Sequence, residues 1–139
     1  MICLDTNAVV GAINGRSPGV RRRLARSLAA GVPVGIPVIV LYELWTGIRK
    51  SARIEENAAR LAAFLALGVV LWAFEPEDAA EAGDIRATLE RAGTPIGPYD
   101  ILIAAQARRR DALLVTANGR EFARVPGLRT EDWTLPEGT

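Results

Sequence analysis

The sequence contains no histidine and only one cysteine, Cys3, among its 139 residues. Without histidine there is no imidazole base, no Ser-His-Asp triad and no zinc site of the Cys/His type. A single cysteine cannot form an intramolecular disulfide, and Cys3 lies in a short apolar run, so we interpret it as a core residue. Chemistry in this chain must therefore rest on carboxylates, hydroxyls, amides, arginines and one lysine, Lys50.

The sequence also lacks an excess of charge and a long apolar run. Its 17 basic and 16 acidic residues leave a net charge of +1, which by itself does not indicate nucleic-acid binding. The longest apolar stretch, residues 32–42, is interrupted by Pro33, Gly35 and Pro37 and is shorter than the ~20 residues of a membrane span. The chain begins without the basic segment and the long apolar run of a signal peptide, so we expect none. We expect a soluble cytoplasmic protein without membrane contact.

Half of the residues are hydrophobic, and short apolar runs alternate with helical patterns along the chain. This alternation predicts an α/β fold with a mainly parallel sheet. We expect one domain over residues 1–134 and a loose C-terminal tail over residues 135–139. The predicted strands are 2–5, 34–37, 69–73, 113–116 and a short one within 128–133. The predicted helices are 17–30, 38–50, 53–67, 76–91 and 98–110, besides one that follows the first strand.

Three acidic residues stand among apolar neighbours near predicted helix starts: Asp5, Glu43 and Asp100. Each has a structural alternative. Asp5 suits a helix N-cap, Asp100 suits the positive end of a helix dipole, and Glu43 could pair with Arg49 or Arg53. Glu43 is the only acid on a helix that is apolar nearly all round, which we expect to be buried. We interpret the three acids as one common site.

A site of carboxylates without histidine favours a hard cation, because oxygen ligands select Mg²⁺ or Mn²⁺. Such a cation lowers the pKa of a bound water and stabilises charge that develops on a phosphodiester. Asn118 follows the fourth predicted strand and is expected to face the same crevice as Asp5 if the two strands are neighbours. Metal-assisted phosphodiester hydrolysis fits the residues that are present and those that are missing.

Four blocks of the sequence resemble the PIN-domain ribonucleases, and more narrowly the VapC-type toxins of toxin–antitoxin pairs. The blocks are MICLDTNAVV, YELWTGI, PIGPYDILIAAQA and LLVTANGREFARVPGLRTEDW, in order from residue 2 to about residue 133. The resemblance implies a three-layer α/β/α fold with strand order 3-2-1-4-5. It also implies a toxin that is a metal-dependent endoribonuclease, with Mg²⁺ or Mn²⁺ as cofactor and RNA as substrate.

The resemblance assigns roles to individual residues. It makes Asp5, Glu43 and Asp100 the metal ligands and catalytic acids, with Asn118 at a fourth position that is acidic or an amide. Asn7 and Thr116 are supporting residues. Because Asn118 is neutral, the number of metal ions stays open, and Glu121 either compensates for it or is an ordinary helix residue.

Partners follow from the same resemblance, which implies a homodimer and a cognate antitoxin whose C-terminal segment lies across the toxin. Arg120 lies nearest in sequence to the expected scissile phosphate, although a solvated surface position is an alternative.

Two other functions of the protein remain open. The fold could be a non-catalytic module that binds RNA or protein. Asp5 could instead be an aspartyl nucleophile for phosphotransfer, which is less favoured because Asn7 stands where a second acid is expected.

Overall fold

A computed structural model describes residues 1–138, whose helices and strands alternate along the chain. The strands are β1 (Ile2–Leu4), β2 (Val34–Pro37), β3 (Val70–Trp72), β4 (Leu113–Val115) and β5 (Thr130–Glu131). The helices are α1 (Thr6–Asn14), α2 (Pro18–Ala29), α3 (Val38–Lys50), α4 (Ile54–Leu65), α5 (Pro76–Arg91), α6 (Pro98–Arg109) and α7 (Gly119–Phe122). The predicted elements are confirmed, with boundaries that differ by a few residues at most.

The five strands form one sheet in the order β3-β2-β1-β4-β5, and every neighbouring pair is parallel. Parallel strands are joined by right-handed crossovers, so the chain places α1–α4 on one face of the sheet and α5–α6 on the other. The predicted three-layer α/β/α fold and strand order are confirmed. The direction of the crossovers reverses between β1 and β4, and the carboxyl ends of these two strands form the ligand crevice of such sheets.

Proline fixes the start of three helices. Pro18, Pro76 and Pro98 occupy the first positions of α2, α5 and α6, where the missing N–H has no intrahelical partner to lose. The last of these starts matters for function, because Asp100 is the third residue of α6. The side chain of Asp100 therefore projects from the first turn of a helix whose starting residue has a fixed backbone φ angle.

Helix α3 is not buried all round, so that expectation was wrong. Val40, Leu44 and Ile48 form its buried face, whereas Val38, Tyr42 and Trp45 are 37%, 53% and 37% exposed. The apolar pattern predicted the helix correctly but could not show how much of it the other elements cover. Helices α1, α4 and α6 are its neighbours, and together they leave the opposite side uncovered.

Asp78 of α5 is fully buried and joins α5 to α6. Its carboxylate accepts hydrogen bonds from Arg109 Nε at 2.6 Å and from Arg110 Nη1 at 2.9 Å. It also completes a capping box by accepting from the backbone N–H of Glu75. Arg109 and Arg110, at the C-terminal end of α6, are therefore ion-pair partners of α5.

The C-terminal segment contacts α2 through two arginines. Arg23 donates to the backbone oxygen of Leu135 at 2.9 Å, and Arg26 pairs with Glu137 at 2.7 Å. That the segment 135–139 is loose stays a prediction, and Thr139 lies outside the described residues. Within residues 1–138, no helix is long and apolar enough to cross a membrane.

Candidate active site

Asp5 directly follows β1 and is the N-cap of α1. Its backbone is extended, and its Oδ1 accepts a hydrogen bond from the Ala8 N–H at 2.9 Å. Asp5 is only 6% exposed, and burial is the main reason why the pKa of its carboxyl group is raised. Hydrogen bonds from Thr116 and Ala8 oppose that rise, whereas the charges of Glu43 and Asp132 add to it. Asp5 therefore caps a helix and also faces other acids.

Glu43 lies on α3 and is held by α1, because the hydroxyl of Thr6 donates to its Oε1 at 2.7 Å. The two arginines considered as its partners are engaged elsewhere. The guanidinium of Arg49 lies over the Trp45 ring, 5.4 Å from the centroid, and Arg53 pairs with Glu56. In the described part of the chain, no cationic side chain forms an ion pair with Glu43.

Asp100 is partly buried in the first turn of α6, and its pKa is raised to about 6. Burial is the largest cause, followed by the charges of Glu121, Glu43 and Asp5. The fold thus brings the three predicted acids, which come from β1, α3 and α6, within electrostatic reach of one another. Negative charges at such positions favour the binding of a cation.

Asn118 follows β4 and is exposed, and two contacts fix its position. Its backbone N–H donates to the Thr116 hydroxyl at 2.9 Å, and its side-chain Nδ2 donates to Glu121 Oε2 at 2.6 Å. The other oxygen of Glu121 accepts from the Gly97 N–H at 3.0 Å. The hydrogen bond from Gly97 is the largest cause of a lowered pKa of Glu121, and the hydrogen bond from Asn118 also lowers it.

The remaining predicted residues have less defined surroundings. Asn7 is exposed and lines a small cavity together with Thr116 and Asp132. Arg120 is exposed on α7, and no acid in residues 1–138 pairs with it. Sequence reasoning missed Asp132, whose charge acts on Asp5; its position after the last strand was the available signal.

The atoms at this edge that could bind a metal ion are carboxylate, hydroxyl and amide oxygens, which suit Mg²⁺ or Mn²⁺. Among the described residues, no group of three or more acidic or cysteine side chains is arranged to hold a metal ion by itself. Across the same part of the chain, no lysine or arginine forms an ion pair with Asp5, Glu43 or Asp100.

An apolar groove begins at the acidic edge between α1, α3 and α4 and continues between α1, α2 and α4. Thr6 and Glu43 line its first section, and Ile13 and Arg60 line both this section and the next. Further apolar residues complete the walls, among them Val10, Leu44, Leu24, Leu28, Phe64 and Leu67. The groove therefore connects a long apolar surface to the acidic residues.

Comparison with known proteins gives consistent matches over nearly the whole chain. The sequence profile of the PIN domain family matches residues 2–128. The "tRNA(fMet)-specific endonuclease VapC" of Shigella flexneri is 42% identical over 131 residues, which is 94% of this chain and 96% of that protein. Among solved structures, VapBC2 from Rickettsia felis bound to a DNA fragment from the promoter matches with a TM-score of 0.88 at 38% identity, covering 96% of this chain and 99% of the other. DNA-bound VapBC from Salmonella typhimurium matches with a TM-score of 0.87 at 38% identity, over the same shares of the two chains.

Proposed function

This chain belongs to the PIN-domain family and to the VapC ribonucleases within it, and on that premise we propose that it is a metal-dependent endoribonuclease, the toxin of a type II toxin–antitoxin pair. The observation that supports the proposal is that Asp5, Glu43 and Asp100, from three separate elements, lie within electrostatic reach of one another, with no lysine or arginine of residues 1–138 paired with them. Burial and neighbouring negative charges raise the pKa values of Asp5 and Asp100, which costs stability and favours a functional reason.

The residues have separable tasks in this reaction, which adds water across a P–O bond of the RNA backbone. A Mg²⁺ or Mn²⁺ bound there would supply an activated water and offset charge on the phosphate. Asp5, Glu43 and Asp100, together with Asn118, would hold the cation. Thr116 and Ala8 fix Asp5, and Thr6 fixes the rotamer of Glu43. Asn7, in the first turn of α1, would be a supporting residue beside Asp5.

RNA binding is proposed on the exposed side of this edge. Arg120 lies two residues beyond Asn118 and is free of acidic partners in residues 1–138, which supports a role as a phosphate contact. Most arginines of α2 and α6 already serve the fold, as Arg21 does by donating to backbone oxygens at the end of α1. Because a relative is named for tRNA(fMet), initiator tRNA is the substrate we propose to test first. The reaction would take place in the cytoplasm, where that RNA is found.

The apolar groove is the proposed binding site of the antitoxin segment. Its apolar walls suit an amphipathic segment. Its open end at Thr6 and Glu43 would bring a basic side chain of that segment to the acidic residues. Inhibition would then follow because a cationic group replaces the metal ion.

The uncovered face of α3 is the proposed homodimer surface. Val38, Tyr42 and Trp45 recur at helical spacing on one side, and Tyr99 extends this surface through an edge-on contact with Tyr42. A second copy would cover apolar area that this chain leaves exposed.

The metal requirement can be tested with the purified wild-type protein and initiator tRNA. We expect defined cleavage products with Mg²⁺ or Mn²⁺, none with EDTA, and restored cleavage when the cation is added back. Cleavage that continues in EDTA would contradict metal dependence. RNA binding without cleavage under every condition would instead indicate the non-catalytic binding module.

A further inference from the structure

Glu121 ties together two chain segments that carry site residues. Its Oε1 accepts from the backbone N–H of Gly97 at 3.0 Å, and its Oε2 accepts from Asn118 Nδ2 at 2.6 Å. Gly97 is the N-cap of α6, three residues before Asp100. One carboxylate therefore links the turn that positions Asp100 to the loop that carries Asn118.

The bond to Asn118 determines which atom of its amide is available to a ligand. An ionised carboxylate can only accept hydrogen bonds, so the amide nitrogen of Asn118 must face Glu121. The amide is planar, and its Oδ1 is therefore directed away from Glu121. None of the donors in residues 1–138 forms a hydrogen bond to that oxygen. This orientation matters because an amide can bind a hard cation only through its carbonyl oxygen.

The geometry at Gly97 points in the same direction. A Cβ built on Gly97 would lie 3.5 Å from Asp100 Oδ2 and 4.0 Å from Glu121 Oε1, so both carboxylates lie on the same side of this turn. Both oxygens of Glu121 are already occupied by donors, whereas Asp100 has no such fixed partner in the described chain. Glu121 thus holds Gly97 and Asn118 in place, whereas the carboxylate of Asp100 remains available to bind a cation.

We propose that Glu121 is a positioning residue of the ribonuclease site, which turns the carbonyl oxygen of Asn118 toward the cation and fixes the α6 turn that carries Asp100. The inference rests on the proposed function, because it concerns the same cation. It assigns Glu121 a role distinct from that of a metal ligand, since it acts through Asn118 and Gly97.

The substitution Glu121→Gln separates these roles. The introduced amide has one oxygen and one NH₂ group, so it cannot accept from both Gly97 and Asn118. If it keeps the Gly97 bond, its NH₂ faces the NH₂ of Asn118 and forces that amide to rotate. We expect isothermal titration of Mn²⁺ into the RNA-free protein to show an affinity lower by roughly tenfold, about 1.4 kcal/mol. Glu90→Gln, at an exposed pair on α5, is the matched control and should bind Mn²⁺ like the wild type.

The double substitution Glu121→Gln with Asn118→Asp tests whether the lost Mn²⁺ affinity can be restored. The new carboxylate at position 118 accepts from the NH₂ group at position 121 and again presents an oxygen to the cation. We expect Mn²⁺ affinity to recover to within about threefold of the wild type. Wild-type affinity in Glu121→Gln alone would overturn the inference. A loss that Asn118→Asp fails to rescue would also overturn it, because Glu121 would then act on the ion directly.

A metal-free measurement distinguishes failure of this inference from failure of the proposed function. In the NMR spectrum of the wild type, one Nδ2 proton of Asn118 should be shifted downfield by its bond to Glu121, and Glu121→Gln should remove that shift. Absence of the shift in the wild type would overturn the inference whatever the protein binds. The shift without any Mn²⁺ binding by the wild type would contradict the proposed function and, with it, the role toward a cation.

Discussion

At the scale of single residues, the acids of the site serve structure and function together. Asp5 is a helix cap and Asp100 a first-turn acid, so the structural alternatives considered for both describe real contacts. The sequence singled out these acids because apolar neighbours surround them. It could not reveal Thr6 or Glu121 as their supports, because those hydrogen bonds join residues 37 and 24 positions apart.

The contact between Thr6 and Glu43 gives a residue-scale prediction. Thr6→Val keeps the shape of the side chain but removes the hydroxyl that donates to Glu43 at 2.7 Å. A hydrogen bond to a charged group contributes roughly 1.5–3 kcal/mol, so we expect kcat/KM for tRNA cleavage to fall by roughly tenfold or more. Thermal unfolding shows whether the fold is kept.

Thr46→Val is the matched control for that change. The Thr46 hydroxyl donates to a backbone oxygen of its own helix, at Tyr42, and contacts no acid of the site. We expect its cleavage rate to equal that of the wild type. Equal losses in the two variants would contradict a specific role for Thr6.

At the scale of helices and strands, the buried carboxylate of Asp78 is the main polar link between α5 and α6. The desolvation of this side chain is outweighed by hydrogen bonds from Arg109, Arg110 and the Glu75 N–H, and its pKa falls from 3.8 to about 2. A folded-state pKa below the unfolded value contributes stability at pH values above 3.8. That contribution is lost as the pH falls toward 2.

Asp78→Asn should therefore lower the free energy of unfolding at pH 7 by about 2 kcal/mol. The difference from the wild type should shrink between pH 4 and pH 2, as measured by urea denaturation over that range. Glu77→Gln, in the same first turn of α5, should change stability by less than about 0.5 kcal/mol. A deficit for Asp78→Asn that does not change with pH would contradict the ion-pair explanation.

Element boundaries were largely predictable from the sequence, whereas element surroundings were not. Proline at the first position and glycine after the last turn mark α2 and α5 clearly. The pattern of α3 is equally clear as a helix, but its apolar residues point to two sides. Only the packing of α1, α4 and α6 decides that Val40 is buried and Trp45 exposed.

At the scale of the whole molecule, strand order explains why distant acids meet. Alternating strands and helices predicted a parallel sheet, but the order β3-β2-β1-β4-β5 came from the resemblance to a known family. That order makes β1 and β4 neighbours, with Leu4 opposite Val115. Asp5 and Asn118, which are far apart in the sequence, therefore follow neighbouring strands at the same edge of the sheet.

The uncovered face of α3 gives a prediction for the assembled molecule. We expect the wild type to sediment at twice its chain mass of 14.9 kDa and Trp45→Glu to sediment as a monomer, because a charge at this position opposes burial by a second copy. Val70→Glu is the control, since Val70 is also exposed but lies on the sheet edge at β3. Dissociation by both variants, or by neither, would contradict this choice of surface.

The central claim is that the acids at the carboxyl edge of the sheet cleave RNA, and the cleavage rate of Asp100→Asn tests it most directly. Asp111→Asn is the control, because Asp111 is exposed just beyond the same helix and has a positive φ that asparagine tolerates. With Mg²⁺ and initiator tRNA, we expect Asp111→Asn to cleave like the wild type. Asp100→Asn should lose roughly a hundredfold or more in rate while remaining folded, because one charge of the cation site is gone. Cleavage by Asp100→Asn at the wild-type rate would contradict the account.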